Sequence, residues 1–265
     1  LEVNVYRGSY TAYRVYAGRR IYVFSAPTGR EDAVKPLVEK ALAREAEAEP
    51  PLTDLYSGEF KAGKPVDLDS AVELARVLGE RFESMGLRVE VVAVSKHTVV
   101  EHIVPDYNAH AREDRWVHEL YIYPYTLYMG RLLSTGRLLA SSSFEKFYED
   151  LDVIVKTTVK RIEEQARSKS FNPVNIGRWK VVLAGEAACA FYHELAHMLQ
   201  ADEPVKLPLD YRVGGGLKIV EDPFYPGPLQ RVFDDELYPA WRRTLIEGGV
   251  VVDYLRTRLT SNGSK

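Results

Sequence analysis

The sequence predicts an α+β fold in two domains, with largely antiparallel sheets packed against helices. Segments of alternating apolar and polar residues follow one another along the chain, and the first three, separated by Gly8 and Gly18, are typical of a three-stranded antiparallel meander. Helical patterns with apolar residues three and four positions apart occur between these pairs but do not alternate strictly with them. The chain has 265 residues, 46% of them hydrophobic, which is enough for a sizeable core and one or two domains.

We place an N-terminal α+β domain at residues 1–170. Alternation predicts strands at residues 2–7, 9–16, 20–26, 87–93, 98–104, 116–128 and 132–139. Pro124 is expected to interrupt the strand at 116–128 because proline cannot donate a ladder hydrogen bond. Residues 51–66, which contain Gly, Pro and aromatics, and the polar residues 105–115 are predicted loops.

Three helices are predicted in this domain. Apolar spacing indicates amphipathic helices at 31–47 and from Asp67 or Asp69 to Met85. Ser142-x-x-Glu145 has the form of a capping box, which predicts a long helix behind it. Its inward positions are Phe144, Phe147, Leu151, Ile154, Val155, Thr158 and Ile162.

The polar link at 168–177 is the predicted domain boundary, and residues 171–265 form a second domain with antiparallel strands. It is predicted to begin with a strand at 178–183 and a helix at 186–200, followed by short strands at 217–220, 230–234, 242–245 and 250–255. Glu247-Gly248-Gly249 is a hairpin turn. The glycines at 214–216 are either a flexible turn or a strand edge kept bare for a substrate backbone.

The helix predicted at 186–200 carries the motif His193-Glu194-Leu195-Ala196-His197, of the form H-E-x-x-H. Residues four apart return to nearly the same helix face, so both imidazoles can reach one Zn²⁺ ion. Glu194 lies between them, where a carboxylate can take a proton from a water molecule. The motif therefore predicts a zinc hydrolase in which His193 and His197 bind the metal and Glu194 is the general base.

The apolar residues of this helix lie almost all round its circumference, so we expect it to be buried. Buried imidazoles need partners, and a metal ion would supply them. The alternative is a pair of core histidines hydrogen-bonded to the backbone, with Glu194 at a solvated edge. Cys189 is interpreted as a small buried thiol, because a Cys-His-His row would span about 12 Å of helix, too far for one ion.

The third metal ligand is expected to be a carboxylate after the helix. The main candidates, which can also serve to hold an imidazole N–H, are Asp202, Glu203, Asp234, Asp235 and Glu236. Glu221 and Asp222 are further options, and a solvated turn is the plain alternative for the segment from Asp234 to Glu236. The histidines at 97, 102, 110 and 118 are interpreted as strand or loop surface residues.

Composition argues against several other classes of protein. A net charge of −3 does not suit a nucleic-acid partner. No apolar run approaches the roughly 18 residues of a membrane span, and no secretory signal is visible, so no membrane partner is expected. The single cysteine fits a reducing cytoplasm. The chain begins with Leu rather than Met, so we expect the sequence to be incomplete at its start.

The motif region resembles the TldD/PmbA family, also named for modulation of DNA gyrase. The resemblance lies in the alanine-rich helix with His193-Glu194 and His197, and in the Leu199-Gln200-Ala201-Asp202 that follows. It extends to Phe233-Asp234-Asp235-Glu236 and to the hairpin from Thr244 to Val251. It is most specific over residues 178–258.

The resemblance implies a cytoplasmic zinc peptidase that acts on unfolded or extended peptides. It also implies a homodimer, or a heterodimer with a sister subunit that lacks the metal, so a non-catalytic subunit or peptide-binding partner is the alternative. The family spaces its histidines by five and takes a third ligand from a C-terminal cysteine. Here the spacing is four, and Cys189 precedes the motif.

Overall fold

The architecture is that of a computed structural model, which describes residues 2–17, 20–43, 54–104, 107–169, 177–257 and 260–261. The helices are α1 (Lys35–Leu42), α2 (Leu68–Ser84), α3 (Glu145–Glu149), α4 (Leu151–Arg167) and α5 (Glu186–His197). The strands are β1 (Tyr10–Ala17), β2 (Arg20–Pro27), β3 (Gly58–Ala62), β4 (Arg88–Val104), β5 (Ala109–Tyr128), β6 (Arg131–Ser134), β7 (Arg137–Ser141), β8 (Ile219–Glu221), β9 (Arg243–Glu247) and β10 (Val250–Val251).

A long antiparallel ribbon of β4 and β5 forms the centre of the fold. The two strands pair without interruption from Arg88 opposite Tyr125 to Val104 opposite Ala109. β6 and β7 pair antiparallel with successive parts of β5, and β3 pairs with it in parallel. Apart from that parallel pair, the sheets in the part of the chain that the structure describes are antiparallel, which confirms the predicted α+β class.

The ribbon is longer than the sequence predicts. The strands predicted at 87–93 and 98–104 are one strand, and the loop predicted at 105–115 is wrong from Ala109 onward. Pro124 does not interrupt β5, because it lies in the gap between Ile122, the last residue paired with β7, and Tyr125, the first paired with β6. β3 lies inside the loop predicted at 51–66.

The ribbon is covered on opposite faces along its two halves. Leu120 and Ile122 of β5 pack into the main core with α2 and α4. Ala109 and Ala111 lie on the other face, because side chains alternate along a strand, and they pack against Phe233 and Leu237. The segment around Phe233 therefore covers the half of the ribbon that α2 and α4 leave open.

The helices of the main core follow the predicted apolar spacing. Asp67 caps α2 by accepting a hydrogen bond from the Ser70 N–H at 2.7 Å, as predicted. The predicted inward residues after Ser142 are all buried. The predicted capping box is wrong, because the helix begins at Glu145 and Ser143, not Ser142, bonds the Glu145 side chain. Asp150 then separates α3 from α4.

The N-terminal region is simpler than predicted. β1 and β2 pair as a hairpin, but residues 2–9 form no strand. The helix predicted at 31–47 is a 3-10 turn at Glu31–Ala33 followed by α1, which starts with Pro36 in its first turn. The end of that predicted helix, at 44–47, lies outside the described residues.

The C-terminal region consists of α5 and a small antiparallel sheet in the order β10-β9-β8. The predicted turn at Gly248-Gly249 joins β9 to β10, and both glycines have positive φ, at 57° and 79°. The strand predicted at 178–183 does not form, and residues 230–234 contribute only the bridge of Phe233 to Pro239. The predicted domain boundary at 170/171 lies outside the described residues.

Within the described ranges, none of the helices is long and apolar enough to cross a membrane.

Candidate metal centre

The helix that carries the motif is regular and close to its predicted bounds. α5 begins after Gly185, whose φ of 56° lets the chain turn into the helix, and ends at His197 rather than Gln200. Met198 and Leu199 continue as a turn, and Gln200 forms a parallel bridge with Leu255. The four-residue spacing of the histidines therefore falls on uninterrupted α-helix.

The two histidine side chains converge. Their Nε2 atoms lie 3.1 Å apart, and the ring planes cross at 85°. Two nitrogens at about 2.0–2.1 Å from one tetrahedral zinc ion would be roughly 3.3 Å apart, so this pair fits two positions of a zinc site. Gln200 approaches the other side of His197, with its Nε2 atom 3.5 Å from Nδ1.

The expectation that α5 is buried is wrong. Leu195 and Leu199 pack against Leu245, Ile246 and Val251 of the small sheet. The rest of the apolar surface is open: Phe191 is 50% and Tyr192 is 49% exposed, and His193, Glu194 and His197 are exposed too. Two leucines reach the small core, and none of the described elements covers the opposite side of the helix.

Cys189 also lies on this open surface, so its interpretation as a buried thiol is wrong. The segment before the helix is open in the same way. Trp179 is 60% and Val182 is 91% exposed, and the strand predicted here does not form.

The structure does not bring a third metal donor to the histidine pair. Among the described residues, no group of three or more His, Cys, Asp or Glu side chains is placed to hold a metal ion. Asp202 is exposed and Glu203 is partly buried in the turn after the helix. Both therefore stay candidates by their place in the chain alone.

The acidic segment from Asp234 to Glu236 has structural partners of its own. Asp234 Oδ1 accepts hydrogen bonds from the N–H groups of Glu236 and Tyr238, at 2.8 and 2.9 Å. Asp235 pairs with Arg231, and Glu236 accepts a hydrogen bond from the Tyr16 hydroxyl at 2.6 Å. The segment thus forms a turn that is tied to β1.

Titration within this turn is perturbed. Loss of hydration raises the pKa of Asp234, two backbone N–H bonds oppose the rise, and the charges of Glu236 and Asp235 add to it. Loss of hydration and the bond to Glu236 raise the pKa of the Tyr16 hydroxyl. The neighbouring carboxylates of this turn therefore disfavour ionisation of Asp234.

Two of the histidines outside the motif have roles that their sequence positions did not reveal. His118 is fully buried, not at the surface, and its ring nitrogens bond Ser95 Oγ at 2.9 Å and the Lys64 carbonyl at 2.8 Å. His102 packs edge-on against Phe233, and burial lowers its pKa. Both histidines serve packing of the ribbon.

A residue that the sequence did not single out lies at the start of α5. Glu186 contacts Arg137 of β7 and Arg161 of α4. A glutamate in the first helical turn is a weak signal, because negative charge is favoured there in any helix. Its partners cannot be found without the tertiary structure.

The fold and the histidine pair together define a class: an α+β protein with an exposed H-E-x-x-H helix. No protein-family model matches the sequence, and no curated protein is significantly similar to it. Solved structures do match the fold, and they belong to the TldD/PmbA family. The chain therefore has the TldD/PmbA fold, and the predicted resemblance is confirmed.

Three such structures illustrate the match. A candidate modulator of DNA gyrase from Bacteroides thetaiotaomicron has 13% identity and a TM-score of 0.60, and covers 94% of this chain. TldE from Thermococcus kodakarensis has 13% identity, a TM-score of 0.56 and 96% coverage. A candidate gyrase modulator from Thermotoga maritima has 16% identity, a TM-score of 0.54 and 94% coverage.

This chain corresponds to only about three fifths of each solved structure, at 61%, 61% and 60% of their lengths.

Proposed function

We propose that this chain carries the metal-binding helix of a zinc-dependent peptidase that hydrolyses unfolded or extended peptides. The observation that supports it most is the convergence of His193 Nε2 and His197 Nε2 to 3.1 Å on a regular helix. That geometry matches two ligands of one zinc ion, and Glu194 lies between them in sequence. The TldD/PmbA fold is consistent with this class of hydrolase.

The residues divide the chemistry between them. His193 and His197 would hold the ion, which supplies a Lewis acid for the scissile carbonyl. Glu194 accepts the proton of the attacking water and returns it to the leaving amine. Asp202, Glu203, Asp234, Asp235 and Glu236 remain candidates for the third ligand or for holding an imidazole N–H.

A dimer is part of the proposal, either of two copies or with a sister subunit. The open apolar surface of α5 and of residues 178–183 supports it, because large apolar patches commonly mark interaction sites. A cytoplasmic location stays a prediction from the single cysteine.

The second candidate is a non-catalytic TldD/PmbA-like subunit or peptide-binding partner. The absence of a three-donor group among the described residues favours it. One of the similar structures is TldE, a member of the same fold.

The substitution Glu194→Gln separates these candidates. It removes the general base and keeps the shape of the side chain, so zinc content should be unchanged while peptide hydrolysis falls by about 10²-fold or more. The assay measures cleavage of an unstructured fluorogenic peptide and zinc per chain on the same samples. Glu164→Gln on the outer face of α4 is the matched control. Equal cleavage by Glu194→Gln and the parent would contradict the mechanism, and a zinc-containing parent without cleavage would favour the second candidate.

A further inference from the structure

The first turn of α5 is held by one carboxylate between two arginines. Glu186 Oε1 lies 3.0 Å from Arg137 Nε, and its Oε2 accepts a hydrogen bond from Arg161 Nη2 at 2.6 Å. The arginines come from different elements, β7 and α4, that belong to the body of the fold. Each carboxylate oxygen therefore contacts one of these elements, through an ion pair to β7 and through a hydrogen bond to α4.

The arginines are themselves fixed. Arg137 is 15% exposed and donates from Nη1 to Thr157 Oγ1 at 2.9 Å. Arg161 lies so close to Gly185 that a Cβ there would be 2.8 Å from its Nη2 atom. The hydrogen bond from Arg161 is the largest cause that lowers the pKa of Glu186, so the carboxylate is ionised at neutral pH. This arrangement differs from a longer and more exposed pair such as Lys160 with Glu164, at 3.8 Å.

The rest of α5 has few attachments. Its packing contact to a buried cluster is Leu195, near the opposite end, and Leu199 in the turn that follows packs into the same cluster. Between the two ends Phe191 and Tyr192 are 50% and 49% exposed, so much of the apolar surface of the helix is open. Its orientation about its own axis consequently depends on the two ends.

We propose that Glu186 is a positioning residue for the histidine pair: its bridge to Arg137 and Arg161 fixes the orientation of α5. The inference rests on the proposed zinc site but assigns Glu186 no contact with the ion. Glu186 precedes His193 by about two turns, roughly 10 Å along the axis, which is beyond the reach of a ligand bond. It acts through the helix.

The test compares Glu186→Gln with the parent in two assays at a temperature where both are folded. Zinc affinity, measured by competition with a chromophoric chelator, should weaken about fivefold, less than the roughly 10–100-fold typical for a residue that touches a ligand. Hydrogen exchange of the first-turn amides of α5, measured without metal, should become faster. Glu186→Asp should restore part of both effects. Glu164→Gln, the same change in the surface pair with Lys160, should alter neither.

A double-mutant cycle with Arg161→Gln identifies the bridge as the cause. Arg161→Gln removes one of the two arginine contacts of Glu186, so it should weaken zinc affinity no more than Glu186→Gln does. The double change should add little to the effect of Glu186→Gln, because that variant already lacks the contact with Arg161. Unchanged zinc affinity in Glu186→Gln would overturn the inference, whatever happens to its thermal stability.

A parent that takes up no zinc would refute the proposed function. The hydrogen-exchange data without metal would then test whether Glu186 holds the first turn of α5. Faster exchange in Glu186→Gln would support that role, and unchanged exchange would overturn it.

Discussion

Gly249 lies at the tip of the hairpin between β9 and β10, where the structure leaves no room for a side chain. Its φ is 79°, in the left-handed region, and a Cβ would overlap the backbone carbonyl of Gly214. The Gly249 carbonyl accepts a hydrogen bond from the Val213 N–H at 2.9 Å, so the hairpin packs directly on the glycine-rich segment. This close approach gives the backbone of Gly214 a structural role.

Gly249→Ala should therefore destabilise the protein by about 3 kcal/mol, from backbone strain and displacement of Gly214. Urea unfolding followed by circular dichroism measures the free energy of unfolding. Gly215→Ala is the control, because no atom lies within 4 Å of a Cβ there, and it should change stability by less than about 0.5 kcal/mol. A similar small loss in Gly249→Ala would show that the hairpin does not pack this closely.

The histidine pair and the glutamate between them were predictable because helical spacing alone brings His193 and His197 together. Glu186 was not, because its partner Arg161 is 25 positions away and belongs to another element. His118 shows the same limit: its bonds to Ser95 and Lys64 depend on strand register and on a loop, neither of which is visible in local sequence.

Among the elements, the central ribbon shows why the local alternation of apolar and polar residues did not predict the full length of β5. The alternation of β5 changes phase near Trp116: residues 109, 111, 113 and 115 are buried on one face, and 118, 120, 122 and 124 on the other. A polar stretch such as 105–115 is predicted as a loop because its covering layer, the segment around Phe233, lies more than 100 residues later. The helices α2 and α4 pack into the main core of the same domain, so their apolar spacing was sufficient to predict them.

The turn from Asp234 to Glu236, next to Phe233, should lower the free energy of unfolding by an amount that depends on pH. The folded state raises the pKa of Asp234, so the unfolded chain loses this proton at a lower pH than the folded chain. The free energy of unfolding must therefore fall as the pH rises from the ordinary Asp pKa of about 3.9 through the raised folded value. Asp234→Asn keeps the acceptor for Glu236 and Tyr238 and removes the charge.

We expect the stability of Asp234→Asn, relative to the parent, to increase between about pH 4 and about pH 7. Urea unfolding across this range measures the difference. A stability difference that does not change with pH for Asp234→Asn would contradict a raised pKa of Asp234 in the folded protein.

At the scale of the whole molecule, the open surface of α5 and residues 178–183 is the largest departure from the sequence prediction. The apolar pattern of these residues predicted burial, but the described chain supplies a cover only for Leu195 and Leu199. Sequence pattern identifies an apolar face and cannot tell whether the same chain or another covers it.

If a second copy or a sister subunit covers this surface, a charge placed on it should weaken association. Val182→Asp should raise the dissociation constant of the dimer at least about tenfold, because an unpaired charge would be buried. Sedimentation velocity over a range of concentrations measures it. Val153→Asp, on the exposed side of α4, is the control and should have no effect. A parent that sediments as a monomer at every concentration, alone and with the sister subunit, would contradict the dimer.

The zinc content of the purified protein shows whether His193 and His197 bind a metal ion. The protein is purified without chelator or nickel, and zinc per chain is measured by plasma mass spectrometry in the parent and in the double variant His193→Ala/His197→Ala. We expect about one zinc ion per parent chain and no bound zinc in the double variant. A parent that contains no zinc and takes up none when it is added, or a double variant that retains the metal, would contradict this expectation.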